Sequence, residues 1–302
     1  MEKVQDTAPN RPKSLLMFIS SMLIFGTIGV FRKYLPLPSA FLACARGILG
    51  GLFIWVFVLA GKKSAGVKLP GRTVLWLAVT GAVMGANWIL LFEAYNYTTV
   101  AVATLCYYMQ PTIVMLLSPL IFGEKLTARK SACAAAAVIG MVFVSGVLES
   151  GGARGGSLRG VLLGLGAAAF YSAVVIMNKK IRGIDAYRKT VIQLLSAGIV
   201  MVPYLLLTGG FGAEGLTART GILLLAVGIV HTGIAYVLYF GSMDGLRVQT
   251  VAILSYIDPV AALLFSAFLL REPLSLLSVI GAVMIIGSAV VSELQKPPAL
   301  QE

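Results

Sequence analysis

Residues 108–126 read Tyr-Met-Gln-Pro-Thr-Ile-Val-Met-Leu-Leu-Ser-Pro-Leu-Ile-Phe-Gly-Glu-Lys-Leu, and residues 256–274 read Tyr-Ile-Asp-Pro-Val-Ala-Ala-Leu-Leu-Phe-Ser-Ala-Phe-Leu-Leu-Arg-Glu-Pro-Leu. A single ungapped offset of 148 positions superimposes Tyr108, Pro111, Leu116, Ser118, Glu124 and Leu126 on Tyr256, Pro259, Leu264, Ser266, Glu272 and Leu274. Carried back to Gly85 and Gly233, the same offset also pairs Leu90 with Leu238, Phe92 with Phe240 and Val100 with Val248, so ten of 42 positions agree. Apolar composition alone would give roughly four. Proline and glutamate are the informative matches, because proline kinks a helix and an ionised carboxylate avoids lipid.

Working outward, 58% of the 302 residues are hydrophobic, only 12% are charged, and the mean hydropathy is +0.92. A soluble domain of this length does not have that composition. About 20 apolar residues cross a bilayer as a helix, and the chain holds ten such runs, near 15–35, 39–60, 73–95, 99–122, 128–147, 158–178, 188–208, 219–240, 249–270 and 274–293. The expected fold is therefore all-α integral membrane, with ten transmembrane helices in two five-helix repeats, residues 15–147 and 158–293. Residues 1–14 and 294–302 are expected to be cytoplasmic tails. Five is odd, so the second repeat enters the membrane from the opposite side and the repeats are inverted. Inverted repeats place a substrate at their interface near the membrane midplane, and exchange of conformation between them exposes it to each side in turn.

The net charge of +12 does not indicate nucleic acid. With both termini in the cytoplasm, 17 of the 24 Lys and Arg fall in cytoplasmic segments; the outer side receives Arg32, Lys33, Arg154, Arg159, Arg219 and Arg271, while Arg46 lies within a helix. That asymmetry is the positive-inside pattern of a multi-pass membrane protein, and it favours both termini inside. The partners expected are the lipid bilayer and a small-molecule substrate, with protons as a candidate coupling ion; oligomeric state is not legible. The first apolar run lacks a small-residue cleavage site and reads as an uncleaved anchor. Cys44, Cys106 and Cys133, odd in number and all within apolar runs, read as small hydrophobes.

The Gly-Glu-Lys-Leu-Thr segment at 123–127 and the Arg-Glu-Pro-Leu-Ser segment at 271–275 each follow a proline-kinked helix and precede a helix rich in small residues. In this arrangement the chain resembles the paired EamA domains of the drug/metabolite transporter superfamily, over about residues 15–293. The resemblance implies a ten-helix inverted-repeat fold in the cell (inner) membrane and transport, often export, of small metabolites such as amino acids. The copies differ at Gly123/Arg271 and Lys125/Pro273.

Pro111 and Pro259 donate no backbone hydrogen bond, which frees the carbonyls of Tyr107 and Ser255 and directs each kink toward the bundle interior. Thr104, Tyr107, Tyr108 and Pro111 share one helical face, and Asn87, Trp88, Leu91 and Tyr95 share another. Aromatic groups deep in the membrane suit an organic substrate, although core packing or an interfacial belt would use the same residues. Helix 8 carries the single histidine, His231, with Tyr236 beyond it, at the repeat position of Trp88. His231 is a candidate for substrate or proton binding, or a neutral hydrogen-bonding partner.

Asp258 is the one acidic residue well inside an expected helix, beside Tyr256, and its counterpart is Gln110. Its candidate partners are Arg46 and a cationic substrate group. Glu93 is a further candidate for proton coupling. Glu124 and Glu272 precede helices 5 and 10, where N-terminal amides favour a carboxylate, and both read as structural, with Thr127 and Ser275 as N-caps. The Gly47/Gly51, Gly81/Gly85 and Gly160/Gly164 pairs have the spacing of close helix contacts. No HExxH, no GxSxG and no second histidine is present, so neither enzyme chemistry nor a cofactor is expected. The reading is a secondary transporter acting through a central cavity. A passive channel or facilitator, and less favourably a receptor that transports nothing, are the alternatives.

Overall fold

The computed structural model describes residues 11–61, 69–123, 127–144, 148, 158–181, 183–208, 210–211, 216–243, 246 and 254–293. Among the described residues the regular structure is helical throughout, in ten segments: α1 Pro12–Lys33, α2 Ser39–Ala60, α3 Gly71–Tyr97, α4 Val100–Ile121, α5 Ala128–Val144, α6 Leu158–Lys180, α7 Ala186–Thr208, α8 Ala218–Met243, α9 Ile257–Leu269 and α10 Leu276–Glu293. Seven are long and apolar enough to span a bilayer by themselves. The described parts of α5, α9 and α10 are 17, 13 and 18 residues long. Lipid explains both the helicity and the surface. Without water the backbone must bond within its own segment, and side chains such as Leu120, Leu207 and Phe268 stand outward with nothing covering them. Glu124 and most of the two tails lie outside the described residues.

The helices pack mainly across the repeats. The principal neighbours are α2 with α7, α5 with α10, α3 with α6, α1 with α8, α3 with α7 and α2 with α8. Exchanging each helix for its repeat counterpart maps this set onto itself, as a pseudo-twofold axis requires. Small residues allow the approach. A Cβ on Gly47 would stand 2.7 Å from the Leu194 carbonyl oxygen of α7, and one on Gly164 would stand 2.7 Å from the Cys106 Cβ of α4.

Two helices are interrupted, one is widened, and one begins just after a turn. α1 breaks at Thr27, between Arg11–Gly26 and Ile28–Lys33. α4 breaks at Tyr108 and Met109, so Pro111 begins a new helix where its missing N–H costs little. In α9 the turn at Ser255 and Tyr256 precedes Asp258 and Pro259. α8 widens into a π-turn at Ile229–Ile234 that contains His231. The expectation for Ser255 needs correction: its carbonyl is not left free, because the Asp258 N–H donates to it at 3.4 Å.

Thr127 and Ser275 accept from the N–H groups of Lys130 and Ser278 and cap α5 and α10 as expected. Glu272 departs from expectation. Its carboxylate does not serve α10; it accepts the Val100 N–H at 2.8 Å, at the start of α4 in the other repeat, together with the Ser266 hydroxyl. An anion at that helix N-terminus is favourable. Gly123 and Arg271, which share a repeat position, both take left-handed backbone, with φ of 70° and 54°.

Candidate substrate cavity

A cavity of about 510 Å³ lies between the repeats, lined from α1, α2, α3, α4, α6, α7, α8 and α9. Arg46, Asn87, Trp88, Tyr95, Tyr107, Tyr108, Gln110, Tyr236, Tyr256 and Asp258 all reach it, as does Pro111. They come from five helices, brought together by the cross-repeat packing.

Arg46 forms one pole. Its Nε–H donates to Thr232 Oγ1 at 2.8 Å, and its guanidinium carbon stands 4.3 Å from the Trp88 ring centroid and 5.8 Å from that of Phe92. Thr232 in turn donates to the Val227 carbonyl across the π-turn. The widened turn therefore presents a hydroxyl to Arg46. A desolvated cation over an aromatic face gains about 2 kcal/mol. The two terminal nitrogens of Arg46 make no hydrogen bond among the described residues.

Asp258 forms the other pole. The Tyr108 hydroxyl donates a short hydrogen bond to its Oδ2. A fixed Arg46–Asp258 ion pair, one of the two partnerships the sequence allowed, is not formed: the ion pair present among the described residues joins Lys33 to Glu272. A guanidinium and a carboxyl group thus face one cavity with no salt bridge between them.

Aromatic rings fill the wall between the poles. Tyr107 stacks on Tyr171 with centroids 5.2 Å apart, and Tyr236 stacks on Phe240 at 5.8 Å and meets the edge of Phe25 at 5.3 Å. Asn87 donates to the Ala167 carbonyl at 2.5 Å, which ties α3 to α6. The Tyr95 hydroxyl and Thr104 Oγ1 lie 3.3 Å apart and link α3 to α4. Ser172 donates to the Gln110 carbonyl at 3.2 Å, holding the break of α4 against α6.

Three expected residues lie elsewhere. His231 is only 2% exposed and sits behind the wall, its Nε2 2.8 Å from Thr27 Oγ1 and its ring against Phe31. It joins the π-turn of α8 to the break in α1. Glu93 is at the end of α3, where it accepts from Ser39 and Asn96. Pro259 is buried in α9 behind the lining.

The sequence reading missed Phe25, Tyr171, Asn178 and Phe240 on the wall. A signal for two of them exists: Tyr171 and Asn178 are seven residues apart in α6 and so share a face. Asn178 accepts from Gln193 at 2.8 Å.

An all-α bundle of two inverted repeats around a central polar and aromatic cavity defines a membrane transporter architecture. Comparison with known proteins agrees: residues 12–146 and 158–293 each match the EamA-like transporter family, and the chain belongs to that family. Among its relatives, the uncharacterized transporter YxxF of Bacillus subtilis is 28% identical, over 92% of this chain and 89% of the relative. Protein PecM of Dickeya dadantii is 27% identical, over 88% and 86%, and protein RarD of Salmonella typhi is 25% identical, over 82% and 83%. A solved crystal structure matches the fold with a TM-score of 0.65 at 21% identity, covering 93% of this chain and 98% of that one.

Proposed function

We propose that the protein is a secondary transporter that moves a small zwitterionic or cationic organic metabolite, an amino acid or an amine, out of the cell by alternating access through the central cavity. The observation that carries this reading is the pair of separated charges: Arg46 held by Thr232 and Trp88, and Asp258 held by Tyr108, across one aromatic-lined space. A substrate carboxylate would take the free nitrogens of Arg46, and an ammonium group would take Asp258. The stacked Tyr107–Tyr171 and Tyr236–Phe240 pairs would receive an apolar side chain. Protons are the proposed coupling ion, with Asp258 as the exchanging group.

In this reading the protein lies in the cell membrane with both termini in the cytoplasm, as the distribution of Lys and Arg favours. Residues 15–147 and 158–293 are its two repeat domains. A thermal-shift screen of the detergent-purified protein against amino acids, amines, nucleosides and sugars identifies the ligand, since binding to the native state raises apparent stability. Saturable counterflow of that ligand in proteoliposomes then tests the carrier mechanism. Stabilisation by amino acids or amines with counterflow is the expected result; a flux that never saturates would sink it.

A further inference from the structure

The cavity is not closed alike at its two ends. Toward one end its lining reaches Asn178 and Phe240, near the last turns of α6 and α8, and Thr190, near the start of α7. Toward the other it stops at the bonded pair Tyr95 and Thr104. Beyond that pair lie the end of α1 and the start of α4. There Lys33 Nζ stands 3.5 Å from Glu272 Oε1, while Glu272 Oε2 accepts the Val100 N–H at 2.8 Å. Lys33 and Val100 belong to the first repeat and Glu272 to the second. One carboxylate therefore clasps both repeats at this end.

A second polar layer lies beside it. Arg32 donates to the Leu35 carbonyl at 2.6 Å, to Ser39 at 3.3 Å and to Asn96 at 3.1 Å, and Ser39 donates to Glu93 at 2.8 Å. All of these groups lie in the first repeat, so they brace α1, α2 and α3 without crossing to the second. Lys33–Glu272 is the one ion pair that joins the two repeats among the described residues. Lys33 is a third exposed. Such a pair is worth little at equilibrium, which lets it part and reform during a cycle.

We propose that Lys33 and Glu272 form the latch that keeps the Tyr95–Thr104 end of the cavity shut, and that the conformation open to that side requires their separation. This rests on the alternating-access reading above. On the orientation given there, the latched end is the outer one and the cavity faces the cytoplasm.

The test reads accessibility, which needs no substrate. Thr104→Cys is labelled with a membrane-impermeant maleimide in right-side-out vesicles, with inverted vesicles as the opposite-side control, in the parent and with Lys33→Met or Glu272→Gln added. Labelling from outside is expected to rise about two- to fivefold with either change, the effect of losing one partly exposed ion pair. In a separate K33C/E272C protein, a short cleavable thiol cross-linker is expected to abolish counterflow, and reduction to restore it. Unchanged labelling in both single variants, or parent-like counterflow in the cross-linked protein, overturns the latch. Should no ligand undergo counterflow at all, the transport reading fails while the labelling result still decides whether this end opens.

Discussion

The hydroxyl of Tyr108 donates to the carboxylate of Asp258 where α4 breaks and α9 begins, in two helices that share one repeat position. Their counterparts at those positions, Tyr256 and Gln110, also face the cavity. The symmetric backbone thus presents a chemically one-sided pair. Asp258→Asn keeps the shape and removes the charge. Loss of a charge-assisted hydrogen bond of about 1.5–3 kcal/mol should lower counterflow by about ten- to a hundredfold at limiting substrate. If Asp258 also exchanges the proton, the residual transport of this variant will no longer respond to an imposed pH gradient. A gradient response equal to the parent's would exclude Asp258 as the coupling group.

Trp88 supports Arg46 from one face. Trp88→Ala removes the ring, and a ligand with a carboxylate should then bind about five- to thirtyfold more weakly, corresponding to 1–2 kcal/mol. Arg46→Lys retains the charge but cannot keep both the Thr232 bond and two donors for the ligand, so it should weaken binding similarly. Titration calorimetry on the purified variants measures both, with a ligand lacking the carboxylate as the control that should be little affected.

His231 lies behind the lining and bonds to Thr27. His231→Gln preserves a donor and an acceptor there. Counterflow in this variant is expected to stay within about threefold of the parent, an energetic change below about 1 kcal/mol. A loss as deep as that of Asp258→Asn would place the imidazole in the transport chemistry after all.

Arg271 occupies left-handed backbone at the position where the first repeat has Gly123. A side chain with a Cβ is strained there by about 1 kcal/mol or more. Arg271→Gly should therefore raise the thermal midpoint in detergent by a few degrees. An unchanged or lower midpoint would show that contacts of the arginine side chain offset the strain.

Gly47 meets the backbone of α7 rather than a yielding side chain. Gly47→Val should cost about 1–3 kcal/mol or prevent assembly, because the opposing carbonyl cannot move aside without displacing its helix. Fluorescence-detected size exclusion measures the outcome. A monodisperse peak with parent stability would contradict the packing.

Much of this organisation is legible in the sequence, because lipid imposes long apolar runs and a duplicated proline marks equivalent helices. Arg46, Trp88, Tyr108 and Asp258 stand out since polar or aromatic groups are costly or specific at that depth. The π-turn was not legible: nothing in the spacing of Ile-Val-His-Thr-Gly-Ile at 229–234 marks an extra residue per turn, and the segment's neighbours in α1 and α2 are distant in sequence. Nor could the destination of Glu272 be read, because its partner Val100 is 172 positions away and contributes only a backbone N–H. Local reasoning finds the nearest helix N-terminus; the fold supplies a different one.

The pairing of α2 with α7, α5 with α10, α3 with α6 and α1 with α8 has a mechanical consequence. Each pair takes one member from each repeat, so any motion that pulled repeat from repeat would strip all four interfaces at once. Unit boundaries in the gene and unit boundaries in motion therefore do not coincide. On the proposed alternating-access reading, the bodies that move would each be assembled from both copies of the duplicated segment, with the breaks in α1 and α4 and the π-turn of α8 as candidate joints.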